Sequence, residues 1–490
     1  MLEKFSKLKI ETRAYIDGVF VNTEKKIVKN SSYTGDPIPQ IAACSEKEID
    51  KAVKCAKRTF EMGIWSELNP AERKNILLKL ADLMEEHRDE LAMLDTLETS
   101  RAYKNYYYDS IPKAIEALRY FAEAIDKIYE RAIAPRANAF CTITRVPLGV
   151  VGIITPWNDP LVVSTWKFAP ALLMGNSIVI KPAEQSSLSI LKVAELTKQA
   201  GIPDGVFNVV PGYGTEAGKA LALHNDVDGI FFTGSSDVGK LMLEYSAKSN
   251  MKKVGLECGG KSPYIVSAKS DRIKEAAVVL AKNMFYNQGQ ICSAPSRVIV
   301  DKKVKSEFLE MLKKEAEKYC PSNPYDINNE VGCLVSSEQY DRINDFLKKV
   351  PDTAKIYSPN IKTNLLPQSC AIFPTIISGI NPNSELAQNE IFGPVVVILE
   401  ADGIKNAIEI ANNTKYGLAG AIWTDNLDEA YYAARKVHCG LFHVNSYGED
   451  DNSAPFGGVK QSGLGKDKSV YAFDEYSDLK TIWYKAEDII

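Results

Sequence analysis

From about residue 148 the chain repeats one pattern: a short apolar run rich in β-branched residues, then an amphipathic stretch of ten or so residues. The runs are LGVVGIIT (148–155), NSIVIKP (176–182), VFNVV (206–210) and DGIFFTG (228–234). The stretches between them predict helices near 166–173, 186–200, 215–223 and from 236. Apolar runs without a polar face belong to strands buried on both sides, and a helix between two strands returns the chain for parallel pairing. The pattern predicts a doubly wound α/β sheet covered by helices on both faces. A second series follows Glu257: SPYIV, a helix near 271–284, SRVIVD and a helix near 305–319. Two α/β lobes with a cleft between them are expected, and a length of 490 residues accommodates roughly 2–4 domains.

Before residue 148 the clearest element is a helix beginning at Asn69. Asn69 can cap it, Pro70 occupies the first helical position and Glu72 the third. Ile76, Leu80, Leu83, Leu91 and Leu94 extend that helix at a roughly helical spacing. Segment 351–370 is rich in polar and turn residues and reads as a surface excursion.

Composition excludes several function classes. Lys+Arg 59 against Asp+Glu 63 leaves a formal charge of −4, so no broad basic field attracts nucleic acid. No apolar stretch reaches the ~18–20 residues of a membrane-spanning helix. The start, MLEKFSKLKIETR, lacks the apolar core of a signal peptide. A soluble, cytoplasmic protein is expected. The nine cysteines are scattered without a CxxC pair, and there are four histidines. Neither a disulfide framework nor a metal centre is predicted, and cysteine chemistry here must manage with little help from imidazole.

Ligands bind parallel sheets at the carboxyl ends of their strands. DGIFFTGSSDVGK places Thr233, Gly234 and Ser235 between a strand and a helix, where exposed amides suit a pyrophosphate. NVVPGYGTEAG adds Gly214 and Gly218, and IKPAE sets Lys181 three residues before Glu184, a pair suited to ribose hydroxyls. Read separately, these are equally an ordinary turn and a solvated ion pair. FYNQGQICSAPSR places Cys292 in a loop whose amides could leave the thiol partly ionised; the alternative is a small buried apolar residue. Glu257 in LECGGKSP is a candidate general base, and the Asn158 amide in TPWNDP a candidate oxyanion donor.

In order along the chain, TPWN, WKFAPALLMGN, IKPAE, PDGVFNVVPGYG, FTGSSDVG, LECGGKSP, NQGQICSA, NEIFGPV and PFGGVKQSGLGKD resemble the NAD(P)-dependent aldehyde dehydrogenase superfamily. The wording is closest to the branch acting on γ-glutamylaminobutyraldehyde and other aminoaldehydes. The resemblance implies a Rossmann-like NAD-binding domain (1–125 and 148–256), a catalytic α/β domain (257–450) and a small β flap (126–147 and 468–490) that builds a homodimer or homotetramer. It implies NAD as cofactor and an aldehyde as substrate, with Cys292 as nucleophile, Glu257 as base, Asn158 as oxyanion donor and Lys167 near the active site. Lys181 and Glu184 match adenosine-ribose contacts, Ser235 a pyrophosphate contact, and Glu390 and Phe392 contacts to the nicotinamide ribose and ring. Rival readings are a broad aliphatic or aromatic aldehyde dehydrogenase, a CoA-acylating enzyme, or a non-catalytic protein of the same fold.

The sequence departs from the family pattern in places. Asp159 stands where an aromatic residue is usual, and the TGKP stretch reads TSRAYKNYYYD. Asn389 replaces the first acid of EEIFGPV, and Lys466-Asp467 replace Arg-Glu. Asp159, Asp109 and Asp450, flanked by Glu449 and Asp451, could form an acidic tunnel mouth, with Tyr106, Tyr107 and Tyr108 offering ring faces. Such a mouth suits an ammonium group, with cation–π attraction worth ~0.5–2 kcal/mol. The alternative is that these acids are solvated loop residues.

Overall fold

The computed structural model describes residues 8–136 and 138–485. Its first sheet has eight strands in the order Gly463–Leu464, Lys253–Cys258, Gly229–Gly234, Val150–Ile154, Ser177–Lys181, Phe207–Val209, Ala14–Ile16, Val19–Val21. The five from Lys253–Cys258 to Phe207–Val209 are parallel. Alternate residues of one strand enter two different cores: Val151 and Ile153 join Ile178, Ile180 and Phe231, while Val150 and Ile154 join Val179, Ile230 and Phe232. That is why these strands read as unbroken apolar runs. Helices Leu188–Ala200 and Ser236–Lys248 fall where expected, Pro160–Leu173 begins before the expected start near 166, and the stretch near 215–223 is a π-turn, Gly214–Gly218, running into Lys219–Leu223.

The second sheet has seven strands in the order Lys355–Tyr357, Thr375–Ser378, Val395–Ala401, Arg297–Asp301, Pro263–Val266, Ala419–Trp423, Leu441–Val444. Only Lys355–Tyr357, within the expected surface excursion, runs antiparallel. A third sheet pairs Ser477–Lys485, Ala139–Pro147 and Arg131–Arg136 in antiparallel register.

Three expectations change. The capping box at Asn69 forms, with Asn69 accepting from the Ala71 N–H at 3.0 Å and Glu72 accepting from the Asn69 N–H at 3.0 Å. Its helix nevertheless ends at Glu86, and Leu91 and Leu94 lie on a second helix, Arg88–Thr99, because the His87 backbone leaves the helical basin (φ −98°, ψ 14°). A boundary between 256 and 257 would cut strand Lys253–Cys258, and Gly463–Leu464 returns to pair with Leu256 and Glu257. Finally, not all of 468–490 belongs to the small sheet. Phe473 packs on Phe121 (5.7 Å between rings) and Tyr476 on Phe231 (4.2 Å), inside the core of the first lobe. Residues 1–7, 137 and 486–490 of the expected segments lie outside the described residues.

Candidate active site

A cavity of about 240 Å³ opens where strand ends of the two large sheets face one another. From the first sheet come Trp157 and Asn158 after Val150–Ile154, Thr233 and Gly234 at the end of Gly229–Gly234 with Ser235 just beyond it, and Glu257 near the end of Lys253–Cys258. The second lobe contributes Cys292, Glu390 and Phe392.

Cys292 follows a strained turn. Asn287 (φ +51°), Gln288 (+55°) and Gly289 (+66°) are successive left-handed residues. For the two non-glycine residues this costs on the order of 1–2 kcal/mol each. Side-chain amides hold it: Gln288 exchanges hydrogen bonds with both backbone groups of Ile372 (3.1 and 3.0 Å), and Gln290 accepts from the Val335 N–H at 3.0 Å. Gly289 is required here, since a Cβ would stand 2.3 Å from the Gly393 carbonyl oxygen. The motif NQGQ is therefore the mould of the cysteine loop. The expectation of a partly ionised thiol is corrected. Burial first, then the carboxylates of Glu390 and Glu257, push the Cys292 thiol up to about 12.

Glu257 is buried, and neither oxygen has a hydrogen-bond partner. The nearby Asp467 N–H is committed to the Phe456 carbonyl at 2.8 Å. Gly457 lies so close that a Cβ would stand 2.5 Å from Glu257 Oε1. Desolvation, then the neighbouring Asp467 charge, raise the Glu257 carboxyl well above the usual carboxylate range, against Lys167 and Lys466. Lys167 does not line the cavity. It lies behind it, buried, donating to Asp467 at 2.8 and 3.2 Å, because its face of helix Pro160–Leu173 packs inward. Its ion pair is with Asp467, and its charge also acts on Glu257.

The strand-end loops suit a dinucleotide. Thr233 Oγ1 is buried and unpartnered beside the cavity. Ser235 caps the 13-residue helix Ser236–Lys248, accepting from Val238 N–H at 3.3 Å, so the helix's first amides open toward the same end. Lys181, buried at its strand end, pairs with the partly exposed Glu184 at 3.1 Å, and Gly218 lies against the Lys181 stem. Gly214 opens the π-turn with open space about it. Glu390 is half-buried, accepts from the Gly260 N–H at 3.1 Å and is raised to about 7, chiefly by desolvation. Phe392 (φ +57°) meets Trp157 edge to face at 5.3 Å, and Gln339 donates to its carbonyl at 2.8 Å.

The acidic mouth is not bare. Asp109 pairs with Lys113 at 2.9 Å and accepts from the Tyr286 hydroxyl at 3.2 Å; Asp450 pairs with Lys468. Asp159 has the longest pairing, 3.5 Å to Arg101, and its side chain remains 28% exposed. Two tyrosine faces are also occupied, Tyr106 by Arg101 at 4.8 Å and Tyr107 by Arg88 at 4.6 Å; Tyr108 is exposed. Arg101, Tyr286 and Asp467 carry no assignment in the sequence reading. The one signal for them was local, since Arg101 and Asp467 fall in stretches that depart from the family pattern.

A thiol loop and an isolated carboxylate sharing one cleft with dinucleotide-type strand ends define a nicotinamide-linked oxidoreductase. The aldehyde dehydrogenase family model matches residues 20–482. The chain is 41% identical over 491 residues to the NADP/NAD-dependent aldehyde dehydrogenase PuuC of Escherichia coli, covering 99% of this chain and 98% of that one. It is 42% identical over 484 residues to an aminoacetaldehyde dehydrogenase of Pseudomonas aeruginosa, covering 98% and 97%. Among solved structures, the γ-glutamyl-γ-aminobutyraldehyde dehydrogenase of Burkholderia cenocepacia superposes with a TM-score of 0.96 at 41% identity, over 99% of both chains. An indole-3-acetaldehyde dehydrogenase of P. syringae, a cysteine-to-alanine mutant in complex with NAD+ and IAA, gives the same score and identity over 99% and 98%. The chain belongs to the aldehyde dehydrogenase family: it is an oxidoreductase that oxidises aldehydes with a nicotinamide dinucleotide. Among the described residues no helix is long and apolar enough to cross a membrane.

Proposed function

We propose that this enzyme oxidises an ω-amino or γ-glutamylamino aldehyde to its carboxylic acid with NAD, through a thioester on Cys292. The Cys292 thiolate adds to the aldehyde carbon. The Asn158 amide and the Cys292 N–H hold the resulting oxyanion in a site where such donors need no reorganisation. NAD held by the strand-end loops with Ser235, Glu390 and Phe392 would supply the hydride acceptor that thioester formation needs. Glu257 then takes a proton from water, which attacks the thioester and releases the acid and the thiol. Lys167 and Asp467 set the charge around Glu257 from behind.

The observation that carries the substrate class is Asp159, adjacent to the oxyanion donor, part-exposed and only loosely paired, in a chain whose relatives include an aminoacetaldehyde dehydrogenase. Burial raises its pKa while Arg101 opposes that shift. Asp159→Asn is expected to raise KM for an ω-aminoaldehyde roughly five- to thirtyfold, about 1–2 kcal/mol, and to leave a neutral aldehyde of equal length nearly unchanged. Equal effects on both would mean that Asp159 shapes the tunnel without reading charge.

Preference for NAD over NADP rests on Glu184. Its carboxylate accepts from ribose hydroxyls, whereas a 2′-phosphate brings like charge against it. Two unit charges ~4 Å apart repel by ~1–4 kcal/mol, enough for roughly tenfold discrimination. Lys181 at 3.1 Å tempers the repulsion. Glu184→Gln is expected to narrow the ratio of kcat/KM values, and equal values for the two cofactors in the parent enzyme would reject the assignment.

The small sheet supports assembly into dimers or tetramers, because it presents Ile133, Phe140, Leu479 and Trp483 at 47–67% exposure. Light scattering on the purified protein tests this. Nine unpaired cysteines fit a reducing compartment such as the cytoplasm.

A further inference from the structure

We propose that Arg101 is the positioning residue of the turn that carries Asn158, and that Arg101 and Asp159 act as one unit. Two places where the sequence leaves the family pattern, 58 residues apart, meet in space at 3.5 Å. The inference rests on the reading of Asn158 as oxyanion donor.

Helix Arg88–Thr99 ends at Ser100, whose left-handed backbone (φ +55°) caps it before Arg101. The Arg101 side chain is 4% exposed, with its guanidinium 4.8 Å from the Tyr106 ring centre and 5.2 Å from that of Tyr286. From there it donates to the Asn158 carbonyl and the Tyr286 hydroxyl, both at 3.3 Å, and faces Asp159 Oδ2. A planar guanidinium can address three acceptors in different directions; an ammonium on a flexible stem cannot hold the same arrangement.

The Asn158 carbonyl has a second donor, Asn287 Nδ2 at 3.2 Å. Asn287 opens the left-handed turn that shapes the Cys292 loop. One carbonyl is thus held from two sides, by the first lobe through Arg101 and by the nucleophile loop through Asn287. Its own side chain lines the cavity. Moving this carbonyl moves the amide relative to Cys292. A misplacement of about 1 Å at a reacting centre costs on the order of 10²-fold in rate.

The charges also require each other. Arg101 is buried and Asp159 part-exposed, and removing either deprives the other of the counter-charge that acts most strongly on it. Asp109 reaches the unit through Tyr286, and Lys113 faces both Asp109 and Asp159.

The test is a double-mutant cycle in the full-length enzyme, reading the pre-steady-state burst of NADH with a neutral aliphatic aldehyde at saturating NAD. Arg101→Met is expected to slow the burst by about 10- to 100-fold with KM for the neutral aldehyde changed less than about threefold. Asn158→Ala slows it comparably. In the Asn158→Ala background, Arg101→Met should add less than about threefold, because the group it positions is gone. A full additive loss there, or an unchanged burst in an Arg101→Met variant that retains the parent Tm and NAD affinity, overturns the proposal. Should Arg101→Met not fold, Arg101→Lys carries the same cycle, since it keeps the charge opposite Asp159 and loses only the planar fork. An unchanged burst in Asn158→Ala instead defeats the oxyanion assignment on which the proposal stands.

Discussion

Replacing Cys292 by alanine is expected to lower NAD-dependent aldehyde oxidation by more than about 10⁴-fold while leaving dinucleotide binding intact. Of the nine thiols, Cys292 and Cys258 line the cleft. Cys258 does not offer a second nucleophile: it is buried against Gly239, and desolvation raises it to about 12. Burial first, then the Glu390 and Glu257 carboxylates, raise Cys292 to about 12 as well, so the cleft as it stands favours the neutral thiol. Ionisation must accompany the filling of the cleft. A nicotinamide ring held there would favour the thiolate by its positive charge. Isothermal titration with NAD and initial rates with several aldehydes decide the matter. Dehydrogenase activity near the parent level in Cys292→Ala would remove the nucleophile assignment, and loss of NAD binding would show that the substitution damages more than the thiol.

The parallel strands were legible because burial on both faces leaves a mark that does not depend on partners: Val150–Ile154 is apolar at every position. The capping box at Asn69 is legible for a similar reason, since all of its bonds close within three residues. The break at His87 is not, because Leu91 and Leu94 keep nearly the spacing of a continuous helix while the backbone between the helices turns. Site residues that sit in strongly worded local motifs, such as Cys292, Glu257 and Asn158, could be picked out singly.

What surrounds them could not. Lys167 meets Asp467 across 300 residues, and Arg101 meets Tyr286 across 185. Such pairs leave no periodicity in the chain. The misjudged thiol has the same origin: its loop suggests stabilising amides, but the dominant influences are burial and two carboxylates carried by other strands and loops. The acidic mouth also takes its charge balance from residues beyond its own loops. Lys113 lies one helical turn from Asp109, a spacing the sequence shows, whereas Lys468 meets Asp450 across 18 residues, and each offsets the acid it meets.

Glu257→Gln is expected to form the acyl-enzyme at close to the parent burst amplitude and to release it about 10²- to 10⁴-fold more slowly. This carboxylate combines burial, lack of hydrogen-bond partners and contact with the cavity. Glutamine keeps its shape and cannot accept the proton from water. Because desolvation and the Asp467 charge raise the Glu257 pKa, the basic form grows as pH rises through that raised value. Parent turnover should therefore climb with pH across a limb that the glutamine variant lacks. Stability moves the other way. A carboxyl whose pKa is higher folded than unfolded is more favourable protonated in the fold, so its contribution is fullest below the unfolded pKa. That contribution is lost as pH rises toward the folded one. Glutamine removes this loss, so the variant should melt no lower than the parent at neutral and alkaline pH, with the difference shrinking as pH falls below about 4. Rapid-mixing measurements of NADH, paired with melting curves across pH, read both effects. A burst reduced in the same proportion as turnover would place Glu257 before the thioester, as the acceptor of the Cys292 proton, and a variant that melts far below the parent would make it a structural group.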